Sequence, residues 1–280
     1  MHPPRFLSPG SLGLMVCLIL AMAMQTPVEL KVMTYNIRYA TAPDGPNAWP
    51  NRRQALLDLI KKHDPDVLGV QEALASQLEE IQATLPNHLV LGVGRDDGLR
   101  KGEFSAILYR KSRLGLREGG TRWISPDPLR PGSLAFDARV TRVFTWGEFF
   151  TSSGQRVLII NTHLDHEAKR AMLLGGQQIR AFCDERPQLP ALVMGDWNSA
   201  ETDPPALALM EGGRFRHAKP TEGPFGTFTA FKPENTSGPQ IDHIFATPIW
   251  DIVSTIIDRT LYDGKAPSDH FPIVATVRLR

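Results

Sequence analysis

The chain has 280 residues, of which 42% are hydrophobic and 22% are charged, and its formal net charge is +1 at pH 7. This composition is ordinary for a globular protein and excludes a strongly basic chain that binds nucleic acid through its overall field. The length suits one large α/β domain or two small ones, and a core of that size needs neither a disulfide nor a structural metal.

The first 23 residues have the layout of a secretory signal peptide. A basic start precedes an apolar run from Leu12 to Met24, and Ala21-Met22-Ala23 is a cleavage pattern of the A-x-A type. The run is shorter than the ~20 residues of a membrane span, and an uncleaved N-terminal anchor is the alternative. We expect residues 1–23 to be removed, 24–29 to be a short linker and 30–280 to form the functional domain. The mature protein is then secreted or periplasmic, without stable membrane association.

Removal of this leader would leave 30 basic and 30 acidic side chains and one cysteine, Cys183. One cysteine cannot form an internal disulfide. A balanced charge provides no overall field for tight binding of nucleic acid, so we expect any such binding to be weak unless a local basic groove exists. We also expect a monomer.

Short apolar runs with polar, reactive side chains at one end recur along the remaining chain. Runs of this length between turn residues predict buried β-strands. In chain order they read LKVMTYN, DVLGVQE, SAILYR, RVLIINTH, ALVMGDWN, IDHIFA and SDHFPIVATV. The polar residues that they deliver are Asn36, Glu72, Arg110, His163, Asp196, Asn198, Asp242, His243, Asp269 and His270.

Amphipathic patterns between the runs predict helices. These patterns cover 52–62, 74–85 and 168–182, and Asp203-Pro204-Pro205 has the form of a helix N-cap followed by first-turn prolines. Strands interleaved with helices indicate a layered α/β domain. The adjacent runs 141–150 and 156–161 predict an antiparallel hairpin, so we expect a mixed sheet.

The residues at the strand ends suit phosphate chemistry. Carboxylate and amide oxygens are hard ligands that suit Mg²⁺ or Mn²⁺, and a histidine can act as a base or acid near neutral pH. Taken singly, an Asn at a strand end is usually a turn former, and an Asp-His pair is usually a surface pair. The repetition of such residues at strand ends favours a common site.

Seven motifs in order, MTYNIR, VQEA, NTHLDH, MGDWNS, GTFTAF, IDHIF and SDHFPI, resemble the endonuclease/exonuclease/phosphatase superfamily, which has the DNase I-like fold. The resemblance runs from about Leu30 to the C-terminus, and the sequence resembles most the secreted bacterial members of the superfamily. It implies a four-layer α/β sandwich of two packed mixed sheets flanked by helices, with the site at one edge between the sheets. It also implies a metal-dependent hydrolase of phosphate esters.

The same resemblance implies a role for each matched residue. Asn36, Glu72 and Asp269 resemble the metal-site residues, and Asp196 and Asn198 resemble the pair that orients water and contacts phosphate. His270 resembles the histidine that activates the nucleophile or holds the phosphate, with Asp242 as its carboxylate partner. The second histidine, a phosphate contact or leaving-group acid, is matched by His163. Glu103 lies where nuclease members place the acid that pairs with this histidine, although an exposed loop acid is an equal interpretation.

Other residues leave two interpretations open. Arg38 is a candidate for phosphate binding or a surface salt-bridge partner. Arg142 is a candidate for phosphate binding or a solvated arginine on a strand. Trp197 stands where Phe is commoner in the GDxN motif, and simple packing explains it. Asp165 and His166 extend NTH to NTHLDH with no role that the sequence reveals.

The predicted function is hydrolysis of a phosphodiester or phosphomonoester by metal- and His-assisted attack of water. A secreted nuclease acting on DNA or RNA is an alternative, because the scaffold hosts several substrates on one catalytic set. A non-catalytic binding module is a weaker alternative, since every matched residue is present. An acyl or glycosyl hydrolase is disfavoured because a G-x-S-x-G elbow is absent from the sequence.

Overall fold

A computed structural model of the protein describes residues 27–135 and 137–280. The predicted leader, 1–23, and the start of the linker lie outside the described residues. Within the part of the chain that the structure describes, no helix has the length and apolar character that crossing a membrane requires.

Twelve strands and four α-helices form the described domain. The strands are β1 (Glu29–Asn36), β2 (Val67–Ala73), β3 (His88–Leu91), β4 (Phe104–Arg110), β5 (Leu114–Trp123), β6 (Val143–Thr151), β7 (Arg156–His163), β8 (Ala191–Asp196), β9 (Arg216–His217), β10 (Asp242–Ala246), β11 (Trp250–Ile257) and β12 (Ile273–Leu279). The helices are α1 (Trp49–His63), α2 (Ala75–Thr84), α3 (Lys169–Asp184) and α4 (Pro204–Met210).

The strands make two six-stranded sheets, with the orders β11-β12-β1-β2-β4-β3 and β5-β6-β7-β8-β10-β9. Each sheet contains one parallel pair, β1 with β2 and β7 with β8, among antiparallel neighbours. The predicted hairpin is confirmed, since β6 and β7 pair antiparallel. Both sheets are therefore mixed, as expected.

Apolar side chains from both sheets meet in a central core that includes Val32, Ile107, Ile159 and Met194. The helices α1 and α2 cover the outer face of the first sheet, and α3 and α4 cover the second. This helix–sheet–sheet–helix arrangement confirms the four-layer sandwich. It buries most of each central strand on both faces, which explains why these strands read as short apolar runs and not as strict alternation.

One pair of amides crosses the apolar space between the sheets. The Nδ2 of Asn161, on β7, donates to the carbonyl oxygens of Val70 (2.9 Å) and Ala106 (2.8 Å), and Gln71 Nε2 donates to Asn161 Oδ1 at 2.6 Å. A Cβ at Gly69 would lie 2.7 Å from Asn161 Oδ1, so glycine is required for this approach. The pair fixes how the two sheets align, directly below the edge that carries the site.

Two sequence predictions need correction in detail. The run SDHFPIVATV does not start as a strand, because β12 begins at Ile273, after Pro272, which has no N–H to donate. Asp203 is the N-cap of α4 and Pro204 follows it, but the carboxylate of Asp203 accepts from Ala200 N at 2.9 Å instead of capping the helix. The predicted bounds of the other helices agree with α1, α2 and α3 to within a few residues.

Candidate active site

An open cleft of about 610 Å³ lies at one edge of the sandwich, where β1, β2, β7 and β8 end and β10 begins. The cleft brings together most of the residues that the sequence analysis selected. Asn36 and Asp242 lie against its floor through hydrogen bonds to Asp196 and His270. The selected residues that line the cleft are Arg38, Glu72, Glu103, Arg142, His163, Asp196, Asn198, Asp269 and His270.

The buried amide of Asn36 joins the two halves of the cleft. Its Nδ2 donates to Glu72 Oε1 at 3.1 Å and to Asp196 Oδ2 at 2.9 Å, and its Oδ1 accepts from the backbone N of Arg38. Because both ends of the amide are engaged within the protein, Asn36 holds two carboxylates from different sheets in place. Its role as a metal ligand stays a prediction.

Glu72 points into the cleft because the end of β2 is irregular. Its φ is +60°, and the β2–β4 register shifts between Val70 and Ala73. A β-bulge of this kind re-aims a side chain that regular alternation would turn away. Asn198, also in a left-handed conformation (φ +48°), follows β8 in the same manner. Both residues carry backbone strain at the site, which is common where function dictates the conformation.

His270 and Asp242 form a buried pair. His270 Nδ1 lies 2.9 Å from Asp242 Oδ2, and the two residues are 4% and 1% exposed. Burial opposes protonation of His270, but the negative charges of Asp242 and Asp196 outweigh burial and raise its pKa to about 10. His270 is therefore a cation at neutral pH, which favours a phosphate contact over a general base.

Asp196 lies between the two site histidines. Its Oδ2 is 3.5 Å from His163 Nε2 and 3.8 Å from His270 Nε2, and its Oδ1 accepts from the backbone N of Asn198 at 2.9 Å. Burial and the neighbouring charge of Asp242 raise the pKa of Asp196 to about 7. A carboxylate in this position can accept a proton from water near neutral pH.

His163 is held by an arginine. Arg142 Nη1 donates to His163 Nδ1 at 2.9 Å, and because a guanidinium only donates, Nδ1 must be the acceptor. Burial, followed by the charge of Arg142, lowers the pKa of His163 well below its usual value. His163 is therefore neutral, and its remaining proton is on Nε2, the nitrogen that faces Asp196.

Glu103 reaches the histidine only through Arg142. Its carboxylate pairs with Arg95 at 2.6 and 2.7 Å and lies 3.7 Å from Arg142 Nη1. This arrangement corrects the predicted direct pairing of Glu103 with His163, because a longer, charged side chain lies between them. It also excludes the exposed-acid interpretation, since the side chain of Glu103 is 16% exposed. Arg142 is not a solvated arginine either, since it is 7% exposed.

The carboxylates of Glu72 and Asp269 both lie near the guanidinium of Arg38. Arg38 Nη1 lies 3.9 Å from Glu72 Oε2, and its Nε lies 3.8 Å from Asp269 Oδ2, while Asp44 binds the guanidinium through both oxygens at 2.9 and 3.0 Å. The hydrogen bond to Asp44 raises the pKa of Arg38. Glu72 and Asp269 therefore offer hard oxygen donors around a point that already favours positive charge, which fits a divalent ion.

A second group, Asp196, Asp242 and His270, has ligand atoms within 4.8 Å of one another. His270 uses its Nδ1 for Asp242, and Asp196 accepts from Asn36 and Asn198. Glu72 is engaged in the same way, since its Oε1 accepts from Asn36 and its Oε2 accepts from the backbone N of Tyr39, so both groups remain candidates for holding an ion.

Several residues at the site were not selected from the sequence. Arg52 was predicted only as part of a helix, but its guanidinium donates to the carbonyls of Ile37 (2.8 Å), Arg38 (2.8 Å) and Pro267 (3.1 Å) and so ties the end of β1 to the loop before Asp269. The loop that contributes Arg95 was recognisable by its glycines and mixed charge. Asp44 gave no sequence signal.

The extension NTHLDH has a local structural role. Asp165 Oδ1 accepts from the backbone N of Glu167 and of Ala168, both at 2.8 Å, which shapes the turn before α3. His166 Nδ1 accepts from Arg142 Nη2 at 3.1 Å. Trp197 is fully buried and packs against Phe245, so packing explains it.

Comparison with known proteins gives a consistent result. The protein-family model described as "Endonuclease/Exonuclease/phosphatase family" matches residues 33–270 of the chain. A crystal structure of a protein of that description from Bacteroides thetaiotaomicron is 31% identical, covers 91% of this chain and 99% of its own, and superposes with a TM-score of 0.87. A mannosyl-6-phosphatase from the same organism is also 31% identical, with 89% and 99% coverage and a TM-score of 0.83.

A curated relative is more distant. The Saccharomyces cerevisiae protein named "Probable RNA exonuclease NGL3" is 25% identical over 207 residues, which are 66% of this chain and 40% of that protein. The chain thus spans less than half the length of this relative.

Proposed function

The chain belongs to the endonuclease/exonuclease/phosphatase family and is a hydrolase of phosphate esters, and from that premise we propose that it is a divalent-metal-dependent phosphatase of small sugar phosphates. The observation that carries the proposal is the cleft itself. It gathers a proton acceptor, Asp196, two histidines in different charge states and a pair of cation-binding carboxylates. Similarity to a mannosyl-6-phosphatase supports a sugar phosphate as the substrate.

Glu72 and Asp269 would hold the metal, Mg²⁺ or Mn²⁺. When bound, the ion supplies positive charge to the phosphate oxygens and lowers the pKa of water. Arg38 lies between these two carboxylates and is anchored by Asp44. It therefore adds a fixed positive charge beside the phosphate.

The remaining steps use the protein's own groups. Asp196 accepts the proton of the attacking water, and the side chain of Asn198, which donates to Leu164 O at 3.1 Å, is fixed beside it. His270, charged because of Asp242, stabilises negative charge on the phosphate. His163 is neutral and carries its proton on Nε2, so it can donate a hydrogen bond to a phosphate oxygen or to the leaving oxygen.

A nuclease is the second candidate function. Phe228, 43% exposed, and Phe231 line the cleft, and aromatic side chains of this kind can stack on a base. The likeness to an RNA exonuclease points the same way. The charge balance, 31 basic against 30 acidic side chains, argues against tight binding of a polyanion. The complete set of site residues disfavours a non-catalytic binding module.

The test is a substrate panel with metal control. The chelated protein is assayed with and without Mg²⁺ or Mn²⁺ on hexose 6-phosphates, nucleotides, RNA and DNA. We expect turnover of hexose 6-phosphates that disappears on chelation, returns with metal and is lost in Glu72→Gln. Undiminished turnover after chelation refutes metal dependence. Faster turnover of RNA or DNA refutes the phosphatase proposal in favour of a nuclease.

We further propose export of the protein as a monomer without stable membrane association. The sequence of residues 1–23, with its short apolar run and A-x-A pattern, supports the export and the release from the membrane.

A further inference from the structure

Arg38 has a strained backbone that the surrounding residues hold in place. Its φ is +53°, in the left-handed region that residues other than glycine seldom adopt. The N–H of Arg38 donates to Asn36 Oδ1 at 3.0 Å, and its carbonyl oxygen accepts from Arg52 Nη2 at 2.8 Å and from Gln77 Nε2 at 3.0 Å. A strained conformation persists where its surroundings fix it, and such residues cluster at functional sites. The direction of the Arg38 side chain is therefore set by the fold.

Only one edge of the Arg38 guanidinium is paired. Asp44 accepts from Nε at 3.0 Å and from Nη2 at 2.9 Å, which fixes the planar group from one side. Nη1 has no hydrogen-bond partner among residues 27–135 and 137–280. The side chain is 28% exposed and lines the cleft. The N–H groups of Nη1 therefore remain available to the oxygen atoms of a phosphate.

The charge of Arg38 also acts on the carboxylates that would hold the ion. Nη1 lies 3.9 Å from Glu72 Oε2, and Nε lies 3.8 Å from Asp269 Oδ2. These distances are too long for hydrogen bonds, so the guanidinium acts on both carboxylates through its charge. The side chains of Glu72 and Asp269 are 13% and 8% exposed, so salt and water screen the interaction weakly. A cation bound by these two carboxylates would therefore meet a positive charge that Asp44 holds in place.

From these observations, and resting on the proposed function, we propose that Arg38 binds the phosphate group of the substrate and at the same time weakens the binding of the divalent ion. The two effects have one cause, because a fixed positive charge attracts the phosphate and repels the ion. Nη1 donates to phosphate oxygens, whereas Glu72 and Asp269 hold the ion against the repulsion. The ion is therefore an exchangeable activator, which the free protein takes up from solution and loses again.

The experiment measures the binding of the ion and of phosphate separately in the full protein. Binding of Mn²⁺ alone is followed by the electron paramagnetic resonance signal of the free ion, and binding of inorganic phosphate by calorimetry at saturating Mg²⁺. We expect Arg38→Gln to lower the Kd of Mn²⁺ about tenfold and to raise the Kd of phosphate about tenfold, the effect of one charged interaction. Arg38→Lys keeps the charge and should bind Mn²⁺ within about twofold of the unmodified protein. Arg53→Gln, at an arginine that is 55% exposed and outside the cleft, is the matched control.

Opposite changes in the two affinities separate this role from a structural one, because a distorted cleft would lose affinity for both ligands. Thermal melts verify that both Arg38 variants are folded. Equal or weaker binding of Mn²⁺ by Arg38→Gln, or unchanged binding of phosphate, would overturn the inference and leave the metal dependence of the proposed function intact. So would retention of Mn²⁺ by the unmodified protein through exhaustive dialysis. If the unmodified protein binds no Mn²⁺ or Mg²⁺, the proposed metal dependence fails and the inference falls with it.

Discussion

Replacing Asp242 with Asn should switch the charge of His270 without changing the shape of the site. The two side chains are 2.9 Å apart and almost fully buried. A unit charge pair near 4 Å is worth about 4 kcal/mol at an effective dielectric constant of about 20, which corresponds to about three pKa units. The pKa of His270 should therefore fall from about 10 towards its usual value. At pH 8 the histidine would be mostly neutral in the variant and charged in the unmodified protein.

The expected consequence is a loss of about 10²–10⁴ in kcat/KM at pH 8, or about 3–5 kcal/mol of barrier. Part of it should return as the pH is lowered towards 6, because His270 regains its proton. His270→Ala should lose a similar amount at every pH. The double variant should be little worse than His270→Ala alone, since residues that act as a unit are not additive.

The assay is kcat/KM on hexose 6-phosphate from pH 6 to 10 for the unmodified protein, both single variants and the double variant. Asp251→Asn, a surface carboxylate paired with Arg280, is the control for removing one charge. Multiplicative losses in the double variant would show that Asp242 works separately from His270. A pH profile of Asp242→Asn parallel to that of the unmodified protein would show that the charge of His270 does not matter.

Three further predictions concern the rest of the chain. Burial alone would raise the pKa of Asp258, but hydrogen bonds, led by the one from His63, hold it well below its usual value. The contribution of Asp258 to stability is therefore present above the usual carboxyl pKa and is lost as the pH falls through the lowered pKa. Asp258→Asn should lower the free energy of unfolding by about 1–3 kcal/mol, measured by urea unfolding at pH 7. A difference between the variant and the unmodified protein that does not narrow in acid would contradict this. Mass spectrometry of the exported protein should find cleavage near Ala23, whereas a retained Met1 on membrane-bound protein would favour an anchor. Affinity for random duplex DNA at physiological salt should be weak and salt-sensitive, and a nanomolar Kd would contradict the charge argument.

The strands that could be predicted from the sequence are those that a local pattern of residue types marks. The buried strands β1, β2, β4, β7, β8 and β10 each contain a short apolar run, and all of them were located. The edge strands β5 and β11 were missed, because each has several exposed residues and β5 contains Gly119-Gly120. An edge strand needs no continuous apolar run, so its sequence resembles that of a loop.

The composition of the site was predictable, but its pairings were not. The residues that reach the cleft stand at strand ends or in recognisable motifs, whereas their partners depend on contacts between distant segments. The bond from Asn36 to Asp196 spans 160 positions. The arrangement in which Arg142 lies between Glu103 and His163 likewise joins three separate segments. Nothing near Arg142 in the sequence distinguishes it from a solvated arginine. Its burial comes from the fold.

The pairing of β1 with β12 has a consequence for the order of assembly. Glu29 opposes Arg278 and Thr34 opposes Ile273, so the first of the described strands along the chain pairs with the last of them. Pairing β1 with β12 closes a loop that contains the whole second sheet, and contacts of such long sequence separation slow folding. The first sheet cannot be completed while β12 is still within the ribosome or a translocation channel. Asp269 and His270 precede β12 directly, so catalytic competence should appear only with the final folding step. Refolding followed by activity should therefore lag behind refolding followed by fluorescence in a variant that keeps, of the five tryptophans, only Trp197, which is buried in the second sheet's own core.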